Sequence, residues 1–300
     1  MKNICVICPV FNEEKTIDHF YKEFLKFTKK IKDFKITLLF SNNASVDKSL
    51  EKIVKLNTKD RNVRYITLSR NFGYQNSILA SLSAIEADAY IIIDCDCEDP
   101  PSLIPEFISG FREGHDLVYG KRDRREESKF ITFLRKIFYR VTYFCADNEF
   151  IIDMAEFSLI SKRIRDVVID NNTNFPFIRS EFAYAGFSRK EITYNRQKRS
   201  YGNSNYNLFG MTKFAVAGFL TTTTFPLRLI FYFFLIVNCL NLYYLMFVSD
   251  HNVFFNIIVF INLLFISLSL SILGMYIARI YNNSLSRKNF IVDYKKSYLG

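Results

Sequence analysis

The sequence contains neither a Gly-x-Gly-x-x-Gly fingerprint nor a Gly-x-x-x-x-Gly-Lys-Ser/Thr loop, which weighs against a dinucleotide oxidoreductase and a P-loop nucleotidase. It has few cysteines, and they do not form a secreted framework. Among Cys5, Cys8, Cys95, Cys97, Cys145 and Cys239, two pairs are too close in sequence for that, so a reduced, cytosolic setting is expected. Met1-Lys2-Asn3 leads straight into a short apolar segment, without the apolar length and small-residue cleavage site of a signal peptide. Acidic residues are outnumbered, 30 against 40 basic ones, for a formal charge of +10. Such a surplus points to an anionic partner. No RNA- or DNA-binding motif accompanies it, so lipid headgroups or phosphorylated substrates are expected rather than nucleic acid.

The 300 residues suffice for one full-sized domain and an appendage. Apolar residues make up 49% and gather toward the C-terminus. Leu229 to Val248 is apolar apart from Asn238 and Asn241, and Val253 to Ala278 is apolar again, with Asn256, Asn262 and a few serines. Each run meets the roughly 20 residues a helix needs to cross a hydrocarbon core. A pair of buried core helices is the alternative. The link Ser249-Asp250-His251-Asn252 is short enough to force a hairpin. Arg228 precedes it, and Arg279, Arg287, Lys288, Lys295 and Lys296 follow it, which predicts both ends and the N-terminal region on the cytoplasmic side.

Before these runs, short apolar segments alternate with helical patterns. Strands are expected at Ile4–Val10, Ile36–Phe40, Val63–Leu68, Ala89–Ile93 and Leu117–Tyr119. Helices are expected at Glu14–Lys30, Lys48–Leu56, Tyr74–Glu86 and Ser102–Arg112. The alternation argues for an α/β domain with a mostly parallel sheet, whose ligands lie outside the carboxyl ends of the strands. Those ends are followed by Pro9-Val10-Phe11-Asn12-Glu13-Glu14, Asn42-Asn43, Ser69-Arg70-Asn71-Phe72-Gly73, and Asp94-Cys95-Asp96-Cys97-Glu98-Asp99-Pro100-Pro101. Cys5 and Cys8 read as strand packing rather than a redox pair.

Asp94, Asp96, Glu98 and Asp99 place four carboxylates in six positions, an arrangement that repels itself without a counter-ion. A divalent cation shared with a diphosphate removes the problem, since Mg²⁺ takes one or two carboxylates, waters and substrate phosphates. A solvated acidic loop is the alternative. The apolar strand before the cluster and Pro100-Pro101 after it favour metal.

Together these segments resemble the family 2, GT-A-fold glycosyltransferases, in particular the polyprenyl-phosphate glycosyltransferases. The resemblance also rests on Arg122, Arg125-Glu126-Glu127-Ser128, Tyr194-Asn195-Arg196 and Arg199-Ser200-Tyr201-Gly202-Asn203-Ser204, and it covers nearly the whole chain. It implies that Pro9, Phe11 and Glu13 lie against the nucleoside, with Asn42, Asn43, Arg70 and Asp94 as further nucleotide contacts. It implies that Asp94, Asp96 and Glu98 hold the donor diphosphate through Mg²⁺ or Mn²⁺. Two departures stand out. Asn42-Asn43 replaces an acidic pair, although an amide still donates and accepts. Glu156-Phe157-Ser158-Leu159 replaces Asp-Phe-Arg-Leu, keeping the carboxylate and losing the arginine.

Eight basic residues lie between Lys121 and Arg140, with apolar residues at helical spacing among them. This reads as an interfacial helix, or as an ordinary surface helix. Arg122 and Arg135 are candidates for the acceptor phosphate, because guanidinium pairs with phosphate bidentately. Arg196 and Arg199 join them from a second basic cluster, in a segment that closes over the donor phosphates in relatives. Tyr206 to Thr222 is expected as a helix on the membrane surface.

The expected division is a GT-A domain over 1–205, a juxtamembrane segment over 206–226, spans over 227–248 and 253–280, and a basic tail over 281–300. The expected activity is inverting transfer from a nucleotide sugar, UDP before GDP, to a polyprenyl phosphate at a bacterial inner membrane. Asp96 and Glu156 are the catalytic candidates, and self-association is left open. The rivals are an enzyme acting on a lipid-linked glycan and an inactive scaffold of the same fold.

Overall fold

The computed structural model describes residues 2–122, 140, 145, 151, 154–171, 177–197, 223–247, 252–285 and 287–300. The strands are β1 (Lys2–Val10), β2 (Phe34–Asn42), β3 (Val63–Thr67), β4 (Ala89–Ile92), β5 (Leu117–Arg122), β6 (Met154–Ser161) and β7 (Arg189–Tyr194). The helices are α1 (Ile17–Thr28), α2 (Ser49–Lys59), α3 (Tyr74–Ala84), α4 (Ile104–Arg112), α5 (Lys162–Asp170), α6 (Ile178–Tyr184), α7 (Phe225–Phe247) and α8 (Asn252–Ser284). The strands form one sheet in the order β3-β2-β1-β4-β6-β5-β7.

β1 is central because both of its faces are apolar. Ile4, Val6, Cys8 and Val10 face a core filled by Phe20 and Phe24 of α1, while Cys5 and Ile7 face the layer containing Ile78 and Leu82 of α3. A strand covered on both sides reads as a continuous apolar run. Cys5 and Cys8 thus point to opposite faces. Burial pushes the Cys5 thiol up to about 12 and the Cys8 thiol well above its ordinary range, which keeps both unreactive.

β1 to β4 run parallel to one another, whereas β6 lies antiparallel between β4 and β5. The expected GT-A-like mixed α/β sheet is therefore present. β6 and β7 are additions to the strands expected from sequence. β7 is a sheet edge, and its outward Arg189, Glu191 and Thr193 give it little apolar signal.

α7 and α8 are the two helices long and apolar enough to cross a membrane. They are antiparallel: Tyr276 Oη donates to Thr223 O at 2.9 Å, and farther along Asn241 and Asn262 exchange amide hydrogen bonds of 3.1 and 2.9 Å. Hydrogen bonding between amides is a usual attachment between helices in an apolar medium. The apolar stretch of α8 contains no buried residue, so the core-helix alternative does not describe it. Among its side chains, Phe260 is 65% exposed and Ile280 67%.

The C-terminal residues do not form a detached tail. They return along the edge of β3 in antiparallel bridges, Leu68 to Val292 and Tyr65 to Tyr298. Tyr65 and Tyr298 exchange backbone hydrogen bonds of 2.9 and 2.8 Å, and Thr67 N donates to Ser297 Oγ. The chain leaves α8 and meets β3 first at its carboxyl end. That end of the sheet is tied to the foot of the helical pair.

One glycine controls the far side of the sheet. A Cβ at Gly120 on β5 would stand 2.6 Å from Tyr194 Cε1 and 3.2 Å from the Phe157 carbonyl oxygen. Gly120→Ala must therefore move Tyr194, at a cost of about 1–3 kcal/mol in unfolding free energy. Denaturant unfolding against wild type measures it, and an unchanged midpoint would contradict the close approach.

Candidate active site

The loops after the parallel strands carry the backbone's less favourable conformations. Asn12, Ala44 and Cys97 have φ of 56°, 57° and 58°, and they follow β1, β2 and β4. Left-handed backbone costs a non-glycine residue about 1–2 kcal/mol, least for Asn, and such positions gather at functional edges.

Beyond β4 the side chains continue to alternate. Asp94, Asp96 and Glu98 are half-buried on the open side, while Cys95, Cys97 and Asp99 are buried. Tyr74 Oη, from the start of α3, donates to Asp94 Oδ1 at 2.6 Å. Burial, followed by the charges of Asp96 and Asp99, pushes the Asp94 carboxyl up to about 7. Asp96 Oδ1 accepts the Glu98 backbone N–H at 3.0 Å, and Glu98 forms an ion pair with Arg196.

Asp99 faces inward and is met by two donors. Tyr194 Oη donates to its Oδ1 at 2.5 Å, and Arg122 Nη2 donates to its Oδ2 at 2.8 Å. Arg122 Nε also donates to Tyr194 Oη at 3.2 Å. The end of β5 and the end of β7 are thereby fixed to the carboxylate cluster.

Glu156 reaches the same edge from β6. Ile92 is paired with Ser158, so antiparallel continuation sets Glu156 across from Asp94. Its Oε1 accepts from Gln75 Nε2 at 3.1 Å and lies 3.0 Å from Arg179 Nε, in α6. Arg179 Nη1 also donates to Met154 O, and Gln75 Oε1 accepts the Ile178 N–H. Glu156 thus has a cation beside it, although its own motif lacks the arginine. Glu156 Oε2 is buried without a hydrogen-bond partner among the described residues.

Asn42 and Asn43 are buried at the end of β2. Asn42 Oδ1 accepts the Ser45 N–H, Asn43 Nδ2 donates to Asn71 Oδ1, and Asn43 Oδ1 accepts the Phe72 N–H. Pro9 is buried at the end of β1, Phe11 is exposed beside it, and Glu13 Oε2 accepts from Thr16 Oγ1. Arg70 stacks on Phe72 with its guanidinium carbon 4.0 Å from the ring centroid. Arg135, Arg199 and the expected surface helix at Tyr206 to Thr222 lie outside the described residues.

Tyr74, Gln75, Asp99, Arg179 and Tyr194 are contributors that the sequence did not single out as site residues. The alternation along Asp94 to Asp99 carried a signal for Asp99, which falls on the opposite face from the other three carboxylates. Arg179 had no local signal, since only tertiary packing brings it to Glu156.

Among the described residues, no three His, Cys, Asp or Glu side chains converge as a self-sufficient metal cage. Asp94 and Asp96 are nevertheless hard oxygen donors on one open face, the kind that completes its shell with water and phosphate. The orphaned Glu156 oxygen faces the same edge.

Arg179→Ala is expected to destabilise the fold by about 1–3 kcal/mol, because it leaves Glu156 half-buried without its cation. Thermal unfolding of Arg179→Ala with and without Glu156→Gln checks this. The second change should recover most of the loss, and strictly additive effects would contradict the pairing.

The profile described as glycosyl transferase family 2 matches residues 5–179. An uncharacterized glycosyltransferase of Bacillus subtilis is 31% identical, over 98% of this chain and 93% of its own length. An SfII prophage-derived bactoprenol glucosyl transferase of Shigella flexneri is 30% identical, over 99% of both chains. Among solved structures, glucosyl-3-phosphoglycerate synthase from Mycobacterium tuberculosis, in complex with phosphoglyceric acid, superposes with a TM-score of 0.50 and 18% identity. That match covers 73% of this chain and 79% of the synthase, and it shows a shared fold. A profile spanning more than half of the chain, together with relatives aligned almost from end to end, means that the chain belongs to glycosyl transferase family 2.

Proposed function

We propose that this chain transfers a sugar from a nucleotide-sugar donor to a polyprenyl phosphate at a membrane surface. The observation that carries the reading is the pairing of β3 with the chain that follows two lipid-compatible helices, which ties those helices to the sheet whose strand ends carry the carboxylates. The likeness to a bactoprenol glucosyl transferase over nearly the full length supports a polyprenyl acceptor. The helical pair is read as a transmembrane hairpin of a bacterial inner membrane, with the catalytic domain and both ends cytoplasmic.

Asp94 and Asp96 are the residues proposed to hold Mg²⁺ or Mn²⁺, with Glu98 beside them under the control of Arg196. Bound there, the cation supplies charge neutralisation for the departing nucleotide diphosphate. Phe11 offers a face to the nucleoside, with Pro9 and Glu13 shaping the loop around it. UDP-sugars are the first donors to test and GDP-sugars the second.

The acceptor is a phosphate monoester, mostly dianionic near neutral pH. It requires orientation more than deprotonation. A phosphate oxygen forms the new bond to the anomeric carbon as the bond to the diphosphate oxygen breaks on the opposite side, with inversion. Arg122 is proposed to guide that phosphate, together with Arg135, Arg196 and Arg199. Its Nε and Nη2 already bind Tyr194 and Asp99, which leaves the Nη1 edge of a fixed guanidinium for the ligand. The unpartnered Glu156 Oε2 is suited to accept a hydroxyl of the transferred sugar.

The direct test is transfer of radiolabel from a panel of UDP-, GDP- and dTDP-sugars into organic-extractable lipid, with Mn²⁺ and undecaprenyl phosphate supplied. Label should enter the lipid phase from one donor, and Asp96→Ala should lower the rate by about a hundred-fold or more. Donor hydrolysis or glycan labelling without lipid label would instead favour the enzyme of lipid-linked glycans. Folded protein silent with every donor would favour the scaffold.

Proton competition gives an independent test. Asp94 is pushed up to about 7, so a cation binding below that pH must displace its proton. Apparent Mn²⁺ affinity in the presence of UDP should fall about ten-fold per pH unit below 7 and level off above it. Titration calorimetry measures the slope, which Asp94→Asn should abolish. A flat profile in wild type would remove Asp94 from the metal site.

A further inference from the structure

A second concave feature lies at the foot of α8, apart from the carboxylate cluster. Its volume is about 340 Å³, and its walls come from two remote parts of the chain. Arg70, Phe72 and Asn76 belong to the loop after β3 and the start of α3. Asn282, Arg287 and Lys288 belong to the last turn of α8 and the chain just beyond it. The antiparallel pairing of Val292 with Leu68 brings the two walls together.

The lining of this groove is one-sided in charge. Arg70, Arg287 and Lys288 all line it, and no acidic residue does. Elsewhere cations are commonly paired, as Lys52 is with Asp18 and Arg112 with Asp33. None of the three groove cations has a carboxylate partner among the described residues. A concave site with this much uncompensated positive charge is built for an anion.

An unmet acceptor lies in the wall of the groove. Asn76 Nδ2 donates to Phe72 O at 3.0 Å, and its Oδ1 is buried without a hydrogen-bond partner among the described residues. A bare phosphate dianion has no donor to offer that oxygen, whereas a hydroxyl beside the phosphate does. Position narrows the choice further. α8 has 33 residues and spans about 50 Å, against about 30 Å of hydrocarbon. Its last turns and Arg287-Lys288 therefore emerge at headgroup depth.

We propose that this groove binds the headgroup of an anionic glycerophospholipid that carries a hydroxyl next to its phosphate, with phosphatidylglycerol as the type. Arg287 and Lys288 meet the phosphate, and Asn76 Oδ1 accepts from the headgroup hydroxyl. The lipid is a resident ligand and not the sugar acceptor. It joins the end of the membrane span to the loop after β3 and so fixes the height of the carboxylate edge above the bilayer. The inference rests on reading α7 and α8 as membrane spans, and it is independent of which sugar is transferred.

The test uses the full chain reconstituted from phosphatidylcholine vesicles that contain a minor fraction of phosphatidylglycerol, with retained lipid counted by native mass spectrometry. Wild type should retain phosphatidylglycerol in preference to phosphatidylcholine and to phosphatidic acid. Arg287→Ala/Lys288→Ala should retain about ten-fold less, while Arg287→Lys/Lys288→Arg keeps it. An unchanged thermal unfolding temperature shows that the variants are folded. Asn76→Ala should erase the preference over phosphatidic acid. Equal retention by wild type and the double alanine variant would overturn the proposal. So would displacement of the lipid by inorganic phosphate, by UDP or by undecaprenyl phosphate, each of which names a different ligand. Release of the chain from cell membranes by alkaline carbonate would defeat the membrane reading itself, whatever the groove binds.

Discussion

Carboxylates gathered at one strand end repel one another, and much of the architecture around β4 answers that repulsion. The four carboxylates are treated differently. Asp99 is buried and receives both Tyr194 and Arg122, Glu98 is paired with Arg196, and Asp94 has only the Tyr74 hydroxyl. Asp96 has a backbone N–H on one oxygen and no cation among the described residues. Two are thus compensated from within the chain, and the remaining two share one open face. Burial first, and then the charges of Asp96 and Asp99, raise the Asp94 carboxyl. The compensation also organises the far half of the sheet, because Arg122 ends β5 and Tyr194 ends β7. Gly120 lacks a side chain so that Tyr194 can reach Asp99.

The path of the C-terminus relates this edge to the helical pair. A parallel sheet carries its ligands at the carboxyl ends of its strands, but nothing in that rule fixes the edge with respect to a membrane. Here α8 delivers the chain to the carboxyl end of β3 before the strand-like pairing begins. On the proposed reading the acceptor phosphate is confined to the headgroup layer, and this pairing ties the sheet that carries Asp94 and Asp96 to the end of the helical pair.

The parallel half of the fold was legible because its signals are local. The apolar runs of β1, β2 and β4, each covered on both faces, and the amphipathic α1 and α2 between them, appear within a few residues of their expected limits. The apolar helices were equally legible from length and lack of charge. β6 and β7 were not, since Glu156 drew attention as a carboxylate and the charged outer face of β7 masks its alternation. The candidate site divides the same way. Asp94, Asp96 and Glu98 follow from the end of a strand, whereas the link between Arg179 and Glu156 depends on α6 packing against β6, which no spacing records.

The two departures from the family pattern illustrate different physics. At Asn42-Asn43 the amides, which donate as well as accept, tie the end of β2 to the loops at Ser45 and Asn71-Phe72. The change alters what those residues do while preserving the shape of the edge. At Glu156-Phe157-Ser158-Leu159 the charge requirement persisted, because a half-buried carboxylate beside Asp94 still needs a cation. Arg179 supplies it from another helix. It meets Oε1, and Oε2 is buried with no hydrogen-bond partner among the described residues. An unmatched buried oxygen is costly, and this sets Glu156 apart from Asp99, both of whose oxygens are matched by Tyr194 and Arg122.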